Sequence, residues 1–305
     1  MNDHDSAYAG LVDAEAHDQW AFGTSFDDPL AGVDTTLVDG IDGTDLALYC
    51  LMLADDALIA AQRLAQWCTE APELEEEVAL ANIGLDLLGQ ARLLLARSAA
   101  ADPSIVPALP EGSPVPDEDA LAFFRDEPLF RCVRLVELRN GDFAHSIVRL
   151  LAFVVYRLAA FQQLQGSRDP VLAAVAAKGV KELTYHRDYA ARWFLTLAGG
   201  TDESRQRLLR ALNDIWPYID ELFVPNQVEQ RLAAASVAAT SATLRGDFDR
   251  VIEQIFGAAE VDPPTVRSAA LVAGRSGRDG IHTEALSYLL AEMQSVARAH
   301  PSGRW

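Results

Sequence analysis

The sequence predicts an all-α fold, a four-helix bundle of two antiparallel hairpins followed by extra C-terminal helices. Three observations support this prediction. Half of the 305 residues are apolar, and in four long stretches the apolar side chains recur at helical spacing. Proline, glycine and Asn-Gly signals separate these stretches. The sequence also contains no strand-rich region, Gly-rich phosphate loop or nucleophile elbow.

The first predicted hairpin joins Asp45–Gln66 to Leu80–Ala96. Pro72 suits the first turn of a new helix, and the acidic residues after it suit a helix N-terminus. Folding the chain back near Pro72 brings Asp56 and Asp86 to a similar depth. A buried carboxylate is costly unless it is paired, hydrogen-bonded or bound to a metal. We therefore expect both acids to be buried and to meet in the middle of the bundle.

The second predicted hairpin joins Phe143–Gln165 to a helix that runs from about Val171 to Ala198 and ends at a glycine pair. On that last helix Glu182 and His186 are one turn apart, so their side chains point the same way. Bending the chain between the two helices sets Glu182 opposite the region 149–156. The bundle therefore has acids at mid-depth on three of its four helices.

This pattern resembles a di-iron carboxylate bundle, but the ligand set is incomplete. Such a site takes one carboxylate from each of two helices and a Glu-x-x-His motif from each of the other two. Here the two motif positions read Asp86-x-x-Gly89 and Glu182-x-x-Tyr185, with His186 displaced by one residue. The third helix offers no carboxylate opposite Glu182, only Arg149, Phe153 and Tyr156.

Two regions flank the bundle. Residues 1–42 contain no Lys or Arg and many Asp and Gly residues, and we predict a disordered or surface-draped acidic extension. The ferritin-like helical domain is predicted to span residues 43–300. Beyond the bundle, residues 224–229 are predicted to form a loop, and helices are predicted at 202–222, 240–256, 264–270 and 283–299.

Charge and cysteine usage exclude several classes of function. The net charge of −20 argues against nucleic acid as a partner, because binding it requires a basic patch. Cys50, Cys68 and Cys132 are not spaced as metal ligands, and we interpret them as reduced thiols rather than a disulfide framework. Charged residues interrupt the apolar stretches, and the N-terminus lacks the features of a signal peptide. The sequence therefore predicts a cytoplasmic protein with no membrane partner.

Four blocks between Asp45 and Ala299 carry a family resemblance. They read LADDALIAAQRLAQWCTEAPELEEEVALANIGLDLLGQARLLL, FRDEPLFRCVRLVELRNGDFAHSIVRLL, KGVKELTYHRDYAARW and GIHTEALSYLLAEMQ. In this order they resemble the non-catalytic, ferritin-like structural subunits of ring-1,2-phenylacetyl-CoA epoxidases, which are multicomponent monooxygenases of phenylacetate catabolism.

The resemblance implies partners and cofactors outside this chain. A catalytic oxygenase subunit would hold the di-iron site and bind phenylacetyl-CoA. A reductase would deliver electrons from NADPH through flavin and an iron–sulfur centre. This chain would pair with the catalytic subunit in a hetero-oligomer, with no metal, cofactor or catalytic residue of its own.

A degenerate metal site is expected in such a structural subunit. We predict that four residues are remnants of ligand positions, namely Asp56, Asp86, Glu182 and His186. Buried acids without a metal need other partners, and the candidates to offset their charge are Arg149, Lys178, Tyr185 and Tyr156.

Two other functions stay open at this stage. The chain could be an active di-iron oxygenase that uses Asp56, Asp86, Glu182 and His186, although the second Glu-x-x-His motif is missing. It could also be an iron-storage ferritin, which would require a symmetric shell and a ferroxidase centre.

Overall fold

The computed structural model describes residues 29–30 and 32–303, and this part of the chain is all-α, as predicted. Within it the only β-type pairing is an isolated bridge between Val272 and Arg275. The α-helices are α1 (Gly43–Ala65), α2 (Leu74–Ala101), α3 (Asp117–Phe123), α4 (Arg134–Glu137), α5 (Phe143–Leu164), α6 (Pro170–Gly199), α7 (Asp202–Ile215), α8 (Gln227–Ala234), α9 (Ser241–Ala259) and α10 (Glu284–Ala299).

Helices α1, α2, α5 and α6 form the ferritin-like bundle as two antiparallel hairpins. In the first hairpin the hydroxyl of Ser98, late in α2, donates to the carbonyl of Ala47, early in α1, at 2.8 Å. In the second, Gly179 of α6 packs so closely on Phe161 of α5 that an added Cβ would lie 2.6 Å from the ring. Contacts between the start of one helix and the end of the other make each hairpin antiparallel, as predicted.

Side-chain caps fix where three bundle helices begin. Asp42, Asp142 and Asp169 each accept a hydrogen bond from the backbone N–H three residues further on, at 3.0, 3.1 and 2.9 Å. Such caps satisfy N–H groups that have no partner within the helix. Helix α6 ends at Gly199, directly before Gly200, where the glycine pair predicts its end.

The C-terminal part differs from the prediction in two places. The predicted helix 264–270 is irregular, because its backbone forms hydrogen bonds with other parts of the chain instead of within a helix. The N–H of Ala269, for example, donates to the carbonyl of Pro217 at 2.7 Å. The predicted loop 224–229 contains the start of α8, which is capped by the side chain of Asn226.

Within the described part of the chain, two helices, α2 and α5, are long and apolar enough to span a membrane by length and composition. In the most apolar window of α5, 89% of the residues are buried inside the bundle, which accounts for its composition. The corresponding window of α2 is only 44% buried. The absence of a membrane partner therefore stays a prediction, and the exposed side of α2 needs another explanation.

The predicted N-terminal extension lies mostly outside the described residues. Its described end packs on the bundle, since Leu30 is buried and the carbonyl of Thr35 accepts a hydrogen bond from Arg97 at 2.6 Å. The division into residues 1–42 and 43–300 stays a prediction.

Candidate functional site

Two adjacent acids in the middle of α1 are buried, and each is paired with its own arginine. Arg125 binds Asp55 through Nη2 to Oδ1 at 2.5 Å and Nη1 to Oδ2 at 3.0 Å. Arg278 binds Asp56 through Nη1 to Oδ1 at 2.9 Å and Nη2 to Oδ2 at 2.7 Å. Two-point contacts of this kind match the geometry of a carboxylate. Each carboxylate therefore has a guanidinium partner from the protein itself in the core.

Arg278 and Asp56 belong to a closed polar cluster. The N–H of Val133 donates to Asp56 at 2.9 Å, and Arg278 also donates to the carbonyl of Met52 at 2.9 Å. Burial opposes the charge of Arg278, but Asp56 and Tyr156 raise the pKa of Arg278 well above its usual range. Tyr156, a predicted partner of the acids, is hydrogen-bonded to Arg278, and burial raises the pKa of Tyr156 to about 12.

A further arginine, Arg157 of α5, lies at the centre of the bundle and links its helices. It donates from Nε to Gln90 Oε1 on α2 at 2.9 Å and from Nη1 to the carbonyl of Leu53 on α1 at 3.0 Å. Gln90 in turn donates to Glu182 on α6 at 2.9 Å. The ring of Phe161 lies 4.4 Å below the guanidinium, a favourable cation–π geometry. All four bundle helices therefore meet in one hydrogen-bonded network.

Arg157 also supplies positive charge to this centre. Its side chain is 1% exposed, and burial lowers the pKa of Arg157 to about 10, an effect that Asp56 opposes. The guanidinium is thus charged at neutral pH. Asp56 lies within electrostatic range of two cations, Arg278 and Arg157. In a metal centre, bound metal ions would provide the positive charge that these two arginines supply here.

Asp86 is not buried, and the prediction that it meets Asp56 in the core is wrong. Its side chain is 43% exposed and binds His186 Nε2 at 3.0 Å. Helices α1 and α2 run antiparallel as expected, but the two acids point to different sides. The broad apolar surface of α2 misled the prediction, because part of it, including Leu85 and Leu88, faces outward.

His186 lies on the same face of α6 as Glu182, as predicted. It is buried, and burial lowers the pKa of His186 although the hydrogen bond with Asp86 and the charge of Glu182 oppose this shift. Among the described residues, His186 Nδ1 and Arg157 Nη2 are the two buried side-chain atoms without a hydrogen-bond partner. Burial therefore favours a neutral imidazole at His186, and the positive charge of Arg157 favours the neutral form further.

The predicted charge partners have different outcomes. Lys178 lies 3.5 Å from Glu182, with its own side chain largely exposed. Arg149 instead donates to the carbonyl of Leu138 and to the side chain of Asn140, in the turn before α5. Tyr185 is 77% exposed. Among the described residues, neither Arg149 nor Tyr185 is brought to a buried acid. Helix α5 presents Arg157 to the centre in place of Arg149, and the side chain of Tyr185 points to solvent.

The donor set at this centre does not fit a di-iron site. Asp56 is already occupied by Arg278 and a backbone N–H. A guanidinium can only donate hydrogen bonds, and its charge would repel a metal cation. Arg157 of α5 therefore presents a cation to the centre, whereas each helix of a di-iron bundle supplies a carboxylate or a Glu-x-x-His motif. That Asp56, Asp86, Glu182 and His186 descend from ligand positions stays a prediction.

One side of α2 is exposed and apolar. We call four of its residues the α2 stripe: Leu74, Val78, Leu85 and Leu88, which are 71%, 52%, 62% and 45% exposed. Their spacing places them on one face of the helix. Leu85 and Leu88 also line an open groove of about 330 Å³ with residues of α1, Phe123 and Met293. Exposed apolar surface of this kind is typical of interaction sites.

Fold and site together define a class of protein, a ferritin-like helical bundle whose core contains paired arginine and carboxylate side chains. The sequence profile of the phenylacetic acid catabolic protein family matches residues 39–305, and the chain belongs to that family. It is 40% identical over 260 residues to one subunit of the 1,2-phenylacetyl-CoA epoxidase of Escherichia coli strain K12. That match covers 85% of this chain and 99% of the relative. The family resemblance inferred from the sequence is confirmed.

Sequence reasoning missed three residues of the centre. Arg157 carried a usable signal, since a charge within an apolar helix raises the same question as a buried acid. Gln90 lies one helical turn after Asp86 on α2, so helical spacing predicts that the two side chains are neighbours on that helix. Arg278 had no comparable signal, because it lies in an irregular basic segment far along the chain from Asp56.

Proposed function

We propose that this chain is the non-catalytic structural subunit of a cytoplasmic phenylacetyl-CoA epoxidase. It would pair with the di-iron subunit that epoxidises the aromatic ring. Electrons from NADPH would reach that partner through the flavin and iron–sulfur centre of a reductase, without passing through this chain. The observation that carries the proposal is the buried Arg157 guanidinium, which links the four bundle helices through Leu53, Gln90 and, by way of Gln90, Glu182.

The partners that the protein itself gives to its acids support a metal-free core. Asp56 is bound by Arg278, Asp86 by His186, and Glu182 by Gln90 and Lys178. Every acid that the sequence suggests as a ligand therefore has a partner from the protein itself. A stable core of this kind suits a subunit that supports a catalytic partner.

The α2 stripe is the surface that we assign to the catalytic subunit. Four large apolar side chains on one helix face would lose contact with water when a partner covers them. The Escherichia coli relative is named as one subunit of an epoxidase, so by that name it belongs to an enzyme of several subunits. A single partner surface on α2 would also account for the apolar composition of a half-exposed helix.

Iron content tests the proposal. The full chain, purified alone and loaded with Fe(II) without oxygen, should retain no di-iron centre after desalting. The catalytic subunit, treated in the same way, is the positive control. Retention of about two iron atoms per chain, lost on changing Glu182→Ala, would contradict the metal-free core and support the alternative of an active di-iron oxygenase.

Reconstitution tests the subunit role. With the catalytic subunit and the reductase present, NADPH-dependent epoxidation of phenylacetyl-CoA should require this chain. An Asp86→Asn variant should support turnover as well as the wild type, since Asp86 holds no metal in this proposal. Full activity without the chain would show that it is not a needed subunit.

A further inference from the structure

A second cluster of potential ligands lies outside the bundle centre. Cys132 precedes α4, Glu137 is the last residue of α4, and His282 precedes α10. One ligand atom from each of the three lies within 4.8 Å of the others. The Cys132 Sγ is 3.7 Å from Glu137 Oε1, and His282 Nδ1 is 2.6 Å from the same oxygen. All three side chains are buried.

The contacts around this cluster are those that orient metal ligands. His282 Nε2 lies 3.1 Å from the carbonyl of Phe130, which leaves Nδ1 as the atom directed to the cluster. Glu137 Oε2 accepts hydrogen bonds from the N–H and hydroxyl of Thr283 at 2.7 and 2.8 Å. Imidazole ligands commonly donate their second N–H to a carbonyl, and ligating carboxylates are hydrogen-bonded in turn.

We propose that Cys132, Glu137 and His282 form a site for one divalent ion of the zinc class. A thiolate and an imidazole favour Zn²⁺ or Co²⁺ over Mg²⁺ or Ca²⁺, which take oxygen ligands. The charges of one thiolate and one carboxylate balance those of one divalent ion. In a tetrahedral zinc site neighbouring ligand atoms lie roughly 3.3–3.7 Å apart, so the sulfur–oxygen distance already fits. The His282 and Glu137 ligand atoms must move apart by under about 1 Å to admit the ion.

The position of the cluster indicates a structural role. The segment between α9 and α10 contains no α-helix, and it is attached to the core mainly by polar contacts such as Arg278 to Asp56. A metal bound by His282 would connect the end of this segment to Glu137 in α4 and to Cys132 in the loop before α4. Because folding and metal binding are coupled in such sites, the ion would stabilise the native chain.

Cobalt spectroscopy of the full chain tests this site directly. After removal of metals with a chelator, Co²⁺ should bind at one ion per chain and give a thiolate charge-transfer band in the near ultraviolet, and Zn²⁺ should abolish that band. Cys132→Ala should remove the band and weaken binding by more than about 100-fold. Cys50→Ala is the matched control, because Cys50 is equally buried but lies away from the cluster, and this variant should retain the band.

Two further measurements keep the test decisive. Thr283→Val removes only a hydroxyl donor to Glu137 and should weaken Co²⁺ binding by about 10-fold. Excess Zn²⁺ should raise the unfolding temperature of the wild type and not that of His282→Gln. A folded wild-type chain that binds neither ion would overturn the proposal and identify the cluster as a hydrogen-bonded histidine–glutamate pair beside a thiol. The single ion and the requirement for Cys132 also distinguish this site from a di-iron centre, so the inference does not rest on the proposed function.

Discussion

Arg157 keeps its charge within an apolar helix because α1 and α2 each give it an acceptor and its own helix gives it an aromatic ring. The carbonyl of Leu53 and the amide oxygen of Gln90 accept its hydrogen bonds, and Phe161 lies against its face. Hydrogen bonds of this kind are worth more in a buried site than at the surface. The same residue makes the centre unsuitable for a metal cation.

Replacing Arg157 with methionine should destabilise the fold while preserving side-chain volume. Arg157→Met removes the donor to Gln90 and to the Leu53 carbonyl, and we expect the free energy of unfolding to fall by about 2–4 kcal/mol. Urea unfolding measures the change. Arg210→Met, at a guanidinium that is more than half exposed, is the control and should stay within about 0.5 kcal/mol of the wild type. Equal effects of the two changes would show that the network contributes no stability.

At the scale of single elements, α2 and α5 have similar apolar composition but opposite roles. Helix α5 is buried on all sides and forms the centre of the bundle, whereas α2 buries one face and exposes the α2 stripe. An apolar helix in a bundle therefore has two explanations, a core position or a partner surface. Burial in the tertiary structure distinguishes them.

The α2 stripe should be needed for assembly and not for folding. The double change Leu85→Glu and Leu88→Glu should leave the circular dichroism spectrum and unfolding temperature of the isolated chain unchanged, because both side chains are exposed. Its affinity for the catalytic subunit should fall by more than about 100-fold, since charges replace buried apolar contacts. Isothermal titration calorimetry measures this affinity. Leu209→Glu, at an exposed leucine of α7, should bind normally, and unaltered binding by the stripe variant would place the partner elsewhere.

The start of α5 should respond to pH through His145. Its ring binds Asp142 at 2.8 Å and Asp214 of α7 at 2.9 Å. Burial opposes protonation, but these two hydrogen bonds raise the pKa of His145 above its usual value. A raised folded pKa means that this contribution to stability is fully present below about pH 6.5. It is lost as the pH rises through the folded pKa.

Comparison with His145→Gln isolates this effect. The wild type should lose more stability than the variant between about pH 6 and pH 9, as followed by urea unfolding. Asp142 acts in the opposite direction, because His145 lowers the pKa of Asp142 against the effect of burial. Its contribution is present above its unfolded pKa and is lost as the pH falls through the folded value. Parallel pH profiles for wild type and variant would exclude His145 as the cause.

At the scale of the whole molecule, buried ion pairs join regions that are far apart in the chain. Arg278 reaches Asp56 on α1 from the segment before α10, and Arg97 of α2 reaches Asp169 at the start of α6 at 2.6 Å. These pairs hold the C-terminal part and the second hairpin against the first. They fix one arrangement of helices that apolar packing alone would not specify as closely.

The Asp56–Arg278 pair should show strong coupling. Asp56→Asn leaves a buried guanidinium without its counter-ion and should cost about 3–5 kcal/mol of unfolding free energy. The double change Asp56→Leu and Arg278→Met removes both charges and should cost less than the single change. A double-mutant cycle with the individual substitutions gives the coupling energy. If the costs of the single changes simply add, the two side chains do not act as a pair.

The sequence by itself determined the helices, their pairing and the family. Apolar side chains at helical spacing, caps such as Asp142 and the glycine pair after α6 are local signals, and local signals are sufficient to define helices and short turns. The acids at positions 56 and 182 and the incomplete Glu-x-x-His motifs were also visible. They led to the interpretation that the chain is a ferritin-like relative without a working metal set.

Only the tertiary structure decided which charges meet. Asp56 pairs with Arg278, which is 222 residues away in the sequence. Asp86 is partly exposed and binds the buried His186. Arg157 takes the central position that Arg149 was expected to fill. Helical periodicity gives the face of a residue on its own helix, but not the rotation of that helix in the bundle or the path of an irregular segment that returns to it. Those depend on long-range packing, because the partner that stabilises a buried charge can come from any part of the folded chain.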